Sequence, residues 1–77
     1  MLNKQSSTPL YNQLLDLLIK TIETSAKPDD KMPSEREICE RYGVSRTTVR
    51  AALRELEELG YIYRRHGKGT YVSALWK

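Results

Sequence analysis

Ser34-Glu35-Arg36-Glu37-Ile38-Cys39-Glu40-Arg41-Tyr42-Gly43-Val44-Ser45-Arg46-Thr47-Thr48-Val49-Arg50 holds two helix starts and one helix stop. Ser34 with Glu37 three residues later is a capping box, in which each residue satisfies a backbone N–H that the first helical turn leaves unbonded. The helix it opens runs from Glu35 to about Tyr42, with Ile38, Cys39 and Tyr42 on its buried side, and Gly43 ends it as a C-cap glycine. Ser45 caps the next helix, whose apolar positions Val49, Ala52, Leu53, Leu56 and Leu59 form the cleanest helical period in the chain. Two short helices joined by Gly43-Val44-Ser45 describe a helix-turn-helix.

Upstream, Thr8-Pro9 reads as a helix start, Thr8 as N-cap and Pro9 at the first helical position. Leu10, Leu14, Leu17, Leu18 and Ile22 follow at helical spacing to about Thr24, and Tyr11, Leu15 and Ile19 widen the apolar face. That face is core, with a width that also suits a partner surface. Residues 1–8 form a flexible N-terminus. Ser25 to Pro33 is a breaker region with Pro28, Asp29, Asp30 and Pro33, and it leaves room for a very short strand around Lys31-Met32. Downstream, Gly60 stops the third helix. Tyr61-Ile62-Tyr63 and Thr70-Tyr71-Val72 are strand candidates, and Gly67-Lys68-Gly69 is the hairpin turn between them.

Composition narrows the function classes. The 77 residues are 39% hydrophobic and 30% charged, which is globular and allows one domain. One cysteine, Cys39, excludes an internal disulfide framework, and one histidine, His66, leaves too few ligands for a four-coordinate protein metal site. No cofactor is implied. No apolar run is longer than Leu17-Leu18-Ile19, too short to span a membrane. The net charge of +3 is unevenly spread. Residues 1–33 balance. Arg41, Arg46, Arg50 and Arg54 have no acid among them, and Arg64, Arg65, Lys68 and Lys77 follow the last acid, Glu58. Two basic segments around the acidic patch Glu55, Glu57 and Glu58 fit two contacts with a polyanion.

The second helix of a helix-turn-helix is the one that enters a DNA major groove, N-terminal residues first. With the apolar stripe inward, Arg46, Thr47 and Arg50 lie outward, continued by Arg54. Arg36 has Glu40, Arg41 has Glu37, and Arg54 has Glu57 and Glu58 within one helical turn, pairings each worth about 0.2–0.5 kcal/mol. Arg46 and Arg50 have no such acid and face each other at i, i+4. Their forks suit guanine O6 and N7, or phosphate. The free N–H groups after Ser34 and Ser45 attract phosphate. Thr47 and Thr48 offer hydroxyls for phosphate, a thymine methyl or a cap, and capping and contact fit Thr48 equally. Arg36 opposes the dipole of its own helix, which a nearby phosphate explains. The tip Arg64-Arg65-His66-Gly67-Lys68-Gly69 is basic, and its glycines let main chain approach a minor groove or backbone. His66 is either a contact or a solvated imidazole, with no nucleophile or carboxylate placed to make it catalytic. Cys39 is a small core residue.

These residues resemble the N-terminal winged helix-turn-helix of the GntR family of bacterial transcription regulators. The resemblance rests on Pro9-Leu10-Tyr11-Asn12-Gln13-Leu14, Pro33-Ser34-Glu35-Arg36-Glu37, Val44-Ser45-Arg46-Thr47-Thr48-Val49-Arg50, Leu53 and Gly67-Lys68-Gly69-Thr70-Tyr71-Val72, nearly all of the chain from Thr8 to Ser73. Pro-Ser-Glu-Arg with Gly-Lys-Gly-Thr is most similar to the HutC-type branch. The chain departs from the pattern at Ser25 and Asp30, where the family often has glycine. The resemblance implies operator binding as a dimer. It implies that Arg36 contacts phosphate, that Arg46 and Arg50 read bases, and that the Gly67-Lys68-Gly69 tip enters the minor groove. Family members carry a further C-terminal domain for effector binding and dimerisation, so the chain is expected to be an excised DNA-binding domain, residues 9–73, with residues 74–77 beginning the linker.

The expected fold is mainly α with a small antiparallel β-hairpin, a three-helix winged helix-turn-helix. The expected function is sequence-specific double-stranded DNA binding in a cytoplasmic, metabolite-responsive repressor. It is expected to act as a homodimer on a palindromic operator, with no membrane partner, no cofactor and no enzymatic activity. The expected contact residues are Arg36, Ser45, Arg46, Thr47, Thr48, Arg50, Arg65, His66, Gly67, Lys68 and Gly69. A winged-helix protein-interaction module is the competing class, and steep salt elution from heparin separates the two.

Overall fold

Leu14, Leu18 and Ile22 stand about one helical turn apart on α1 (Leu10–Ser25), and all three are buried. In this computed structural model, residues 9–74 are described. The expected flexible segment 1–8, including Thr8, and residues 75–77 of the expected linker lie outside them. α1 is followed by α2 (Glu35–Tyr42), α3 (Arg46–Glu58), β1 (Ile62–Arg65) and β2 (Gly69–Val72). α1, α2 and β1 all pack on α3. Fully buried Leu14, Ile22, Ile38, Val49, Leu56 and Val72 draw the core from all three helices and the hairpin. This is the three-helix winged helix-turn-helix expected from the sequence.

The caps explain where the helices begin. Ser34 Oγ accepts from Glu37 N–H at 3.1 Å, and Ser34 N–H donates to Glu37 Oε1 at 3.0 Å, completing the capping box. Gly43 takes the left-handed conformation, φ 66°, and its N–H reaches the Cys39 carbonyl at 2.9 Å. Ser45 Oγ accepts from Thr48 N–H at 3.2 Å and starts α3. Pro9 differs from expectation, being the N-cap rather than the first helical residue. Its φ of −57° suits both roles, but its ψ of 147° is extended, and its carbonyl accepts the first helical bond from Gln13 at 3.1 Å. Leu59 also departs. It continues the stripe of α3 yet is 50% exposed, because the helix ends at Glu58 and the chain turns away at Gly60, φ 87°.

β1 and β2 pair antiparallel as Ile62↔Val72, Tyr63↔Tyr71, Arg64↔Thr70 and Arg65↔Gly69. The first strand starts one residue later than expected, since Tyr61 N–H is spent on the Leu56 carbonyl (2.9 Å) in leaving α3. The expected short strand is a single bridge, Lys31↔Tyr71, with Met32 N–H bonded to the Thr70 carbonyl and Val72 N–H to that of Asp30, both at 2.8 Å. The breaker segment therefore lies along β2 as a partial third strand. Its left-handed residue is Asp29, φ 69°, and Ser25 is still helical.

The capping box makes the fold acid-sensitive. Hydrogen bonds from the Ser34 backbone and side chain hold the Glu37 carboxyl below its ordinary value of 4.5. A depressed pKa in the folded state contributes stability that is present above about 4.5 and is lost as pH falls through the lower folded value. Ser34→Ala is expected to cost about 1 kcal/mol at neutral pH, whereas Glu37→Gln, which removes the carboxyl held by the Ser34 backbone N–H, is expected to flatten the fall of Tm below pH 4.5, measured by thermal melts across the acid range.

Candidate nucleic-acid interface

Arg46, Thr47 and Arg50 are exposed along the outer face of α3, as its inward stripe requires. The two arginines are not left to themselves, however. Glu35, the first residue of α2, sets Oε1 at 3.1 Å from Arg50 Nε and 3.9 Å from Arg46 Nε. The expectation of forks without an acidic partner holds within α3 and fails across the helix-turn-helix, where the turn swings the start of α2 against the start of α3. Each guanidinium still exposes more than half of its side chain, 60% for Arg46 and 59% for Arg50. Arg54 lies along a groove with Glu35, Arg50, Glu57 and Arg64.

Around this pair, Arg36 meets Glu40 at 3.9 Å with both side chains largely exposed, an ion pair worth about 0–1 kcal/mol and readily opened. Ser45 and Thr48 share a hydroxyl–hydroxyl bond of 2.9 Å beside the Ser45 cap, while Thr47 remains exposed. Arg64 is tied to Glu57 at 3.4 Å, joining the base of the hairpin to the end of α3.

The tip is built by glycine. Lys68 N–H bonds the Arg65 carbonyl at 2.9 Å around His66-Gly67, with Gly67 at φ 73°, the position where a type II turn demands positive φ. Gly69 is the first residue of β2 rather than part of the turn, and its φ is 118°. Arg65, His66, Gly67, Lys68 and Gly69 are all exposed. The Arg65 guanidinium lies 5.7 Å from the ring centre of Tyr71, whose hydroxyl donates to the Lys68 carbonyl at 3.2 Å and whose ring stacks on Tyr63 at 5.8 Å. Tyr63 in turn donates to Asp29, a bond that raises the phenol above its ordinary value of 10.0. Sequence reasoning missed Glu35 and Tyr71 as organisers of the basic face. By sequence alone Glu35 belongs to a helix start and Tyr71 to a strand, and neither position announces a contact with an arginine.

Gly69→Val is expected to disturb this tip. A branched side chain at φ 118° is strained by about 1–3 kcal/mol, and its Cβ would stand 3.3 Å from Lys31 Cε. Polyanion affinity should fall while helical circular dichroism is retained. Unchanged heparin retention would remove the hairpin from the surface that binds.

The family profile of bacterial regulatory proteins, gntR family, matches residues 10–72. The chain is 48% identical over 75 residues to an uncharacterised HTH-type transcriptional regulator of Bacillus subtilis, YurK, covering 96% of this chain and 31% of that one. It is 47% identical over 73 residues to the HTH-type transcriptional repressor NagR of the same organism, covering 94% and 30%. The chain thus spans about a third of the length of these two relatives. Among solved structures, the DNA-binding domain of AraR in complex with operator ORE1 superposes with a TM-score of 0.82 at 34% identity, covering 95% of this chain and 90% of that one. With its helix-turn-helix, hairpin and capped helix starts all inside the matched segment, the chain belongs to the gntR family of bacterial regulatory proteins.

Proposed function

We propose that the chain binds double-stranded DNA sequence-specifically, as the operator-reading domain of a HutC-like transcriptional repressor. The observation that carries this reading is the pair of exposed guanidiniums, Arg46 and Arg50, side by side at the start of α3, with the basic hairpin tip as a second contact. α3 enters the major groove, and Arg46 and Arg50 read base edges. The first turn of α3, with Ser45, Thr47 and Thr48, offers N–H and hydroxyl donors to phosphate, and Arg36 leaves its exposed partner Glu40 for another phosphate. Arg65, His66, Lys68 and the Gly67 and Gly69 backbone reach the neighbouring minor groove. Residues 9–73 form the DNA-binding unit, and the residues after them lead toward an effector-responsive part of the protein. Two copies occupy a near-palindrome, one on each half-site. The chain works in the cytoplasm by binding and not by catalysis, and no helix among the described residues is long and apolar enough to cross a membrane.

The test is a duplex enriched by the chain from a randomised library, compared with a shuffled duplex of the same composition. The enriched duplex should bind more tightly. About four neutralised phosphates per copy give a slope of log K against log salt of roughly −3 to −4 on a half-site. A slope near zero, or equal affinity for both duplexes, contradicts the reading.

A further inference from the structure

A recess of about 300 Å³ opens between the start of α2 and the hairpin. Buried Met32 and Leu53 lie beneath it, and Lys31, Ser34, Arg64 and Lys68 stand around it. Arg64 is held by Glu57 at 3.4 Å, but among the described residues neither Lys31 nor Lys68 forms an ion pair. The carboxylates at the edge of the recess are engaged elsewhere, Glu37 with the Ser34 N–H at 3.0 Å and Glu35 with Arg50 Nε at 3.1 Å. Two exposed ammonium groups therefore share one concave surface with no acid committed to either.

Lys31 is held more firmly than a loop lysine. It bridges Tyr71, and backbone bonds of 2.8 Å on either side, Met32 N–H to the Thr70 carbonyl and Val72 N–H to the Asp30 carbonyl, fasten it to β2. Its stem crosses Gly69, where an added Cβ would meet Lys31 Cε at 3.3 Å. The bare backbone of Gly69 leaves a lane for that stem, which carries the ammonium alongside the hairpin.

Placement gives the ammonium a partner. A duplex that takes α3 in its major groove and the hairpin tip in the adjacent minor groove has one sugar-phosphate strand between the two grooves. The recess lies between the helix-turn-helix and the hairpin, so that strand runs over it and turns phosphates toward Lys31 and Lys68. We infer that Lys31 is a phosphate-binding residue of the interface, which with Lys68 grips the strand between the two grooves. This rests on the DNA-binding reading above. The lysine reads no base. It adds affinity and holds the register of the hairpin against α3, and leaves discrimination to the arginines.

Lys31→Met keeps the stem across Gly69 and removes the charge. The slope of log K against log salt should become shallower by about 0.9, a loss of about eightfold in affinity at 0.1 M salt that fades toward 1 M. The loss should be equal on the enriched and shuffled duplexes, with Tm of the free chain unchanged, and Lys31→Arg should keep the wild-type slope. Lys20→Met, which removes an exposed lysine of α1 outside the recess, should leave the slope as it is. With the enriched duplex bound, Lys31 should be shielded from amine acylation, read by mass spectrometry, while Lys20 stays reactive. A wild-type slope in Lys31→Met, an equal change in Lys20→Met, or an unshielded Lys31 overturns the contact. A loss confined to the enriched duplex overturns it as well, since it would make Lys31 a reader of bases. A wild-type slope near zero overturns DNA binding itself and takes this contact with it.

Discussion

Arg50→Ala should lose about 1–3 kcal/mol of affinity for the enriched duplex and clearly less for the shuffled one. The asymmetry is what identifies a base contact, because a phosphate contact is present on every sequence. Arg50 is the better held of the two arginines, at 3.1 Å from Glu35 against 3.9 Å for Arg46. Its truncation removes a fork and also leaves the carboxylate with its weaker partner. Arg46→Ala should lose a similar amount, with a smaller disturbance of Glu35. The melting temperature of the free chain should barely move in either variant, since both side chains are mostly solvent-exposed and neither belongs to the core. Equal losses on the two duplexes would assign the arginines to phosphate alone.

The local signals in the sequence were enough for the helices. Ser34 with Glu37, Gly43 and Ser45 each act within one turn of chain, so the capping box, the left-handed glycine and the α3 cap are where the residue types put them. The stripe Val49, Ala52, Leu53 and Leu56 was equally readable, because one buried face leaves only one rotation of the helix possible. Leu59 shows the limit of that argument, since period carries no information about where neighbouring elements end. Tyr61 shows another, because its strand-like neighbourhood competes with a backbone bond that closes α3.

The same boundary runs through the candidate site. Which residues face outward on α3 follows from the period, and Arg46, Thr47 and Arg50 are exposed as expected. What touches them does not follow, because Glu35 is 15 residues from Arg50 and no helical spacing links the two. The contact arises from the angle between α2 and α3, a product of packing rather than of either helix. The hairpin behaves alike. Glycines mark its tip in the sequence, but the support of Arg65 by Tyr71, Tyr63 and Asp29 depends on register and on a loop some 34 residues from Tyr63 that folds back along β2.

Leu56→Ala should have the largest effect on the free chain, a loss of about 2–5 kcal/mol. Leu56 is fully buried on the inner face of α3, in the cluster that unites Leu14, Ile22, Ile38 and Val49. A domain of this size has roughly 4–12 kcal/mol in total at 0.05–0.15 kcal/mol per residue, so the variant is brought close to its folding threshold. Only the folded chain presents Arg46 and Arg50 together, and DNA therefore stabilises it by mass action. At a hundredfold excess over Kd, the enriched duplex should return about 2.7 kcal/mol. Melts followed by circular dichroism should show Tm of Leu56→Ala far below wild type without DNA and partly restored with it. Because a loss of folded population scales affinity for every duplex alike, the ratio between enriched and shuffled DNA should stay at the wild-type value. Arg50→Ala should do the opposite, keeping Tm and losing the ratio. A Leu56→Ala chain with normal Tm would contradict the packing of α3, and one with normal Tm but a changed ratio would place Leu56 in the reading of DNA, where this fold does not put it.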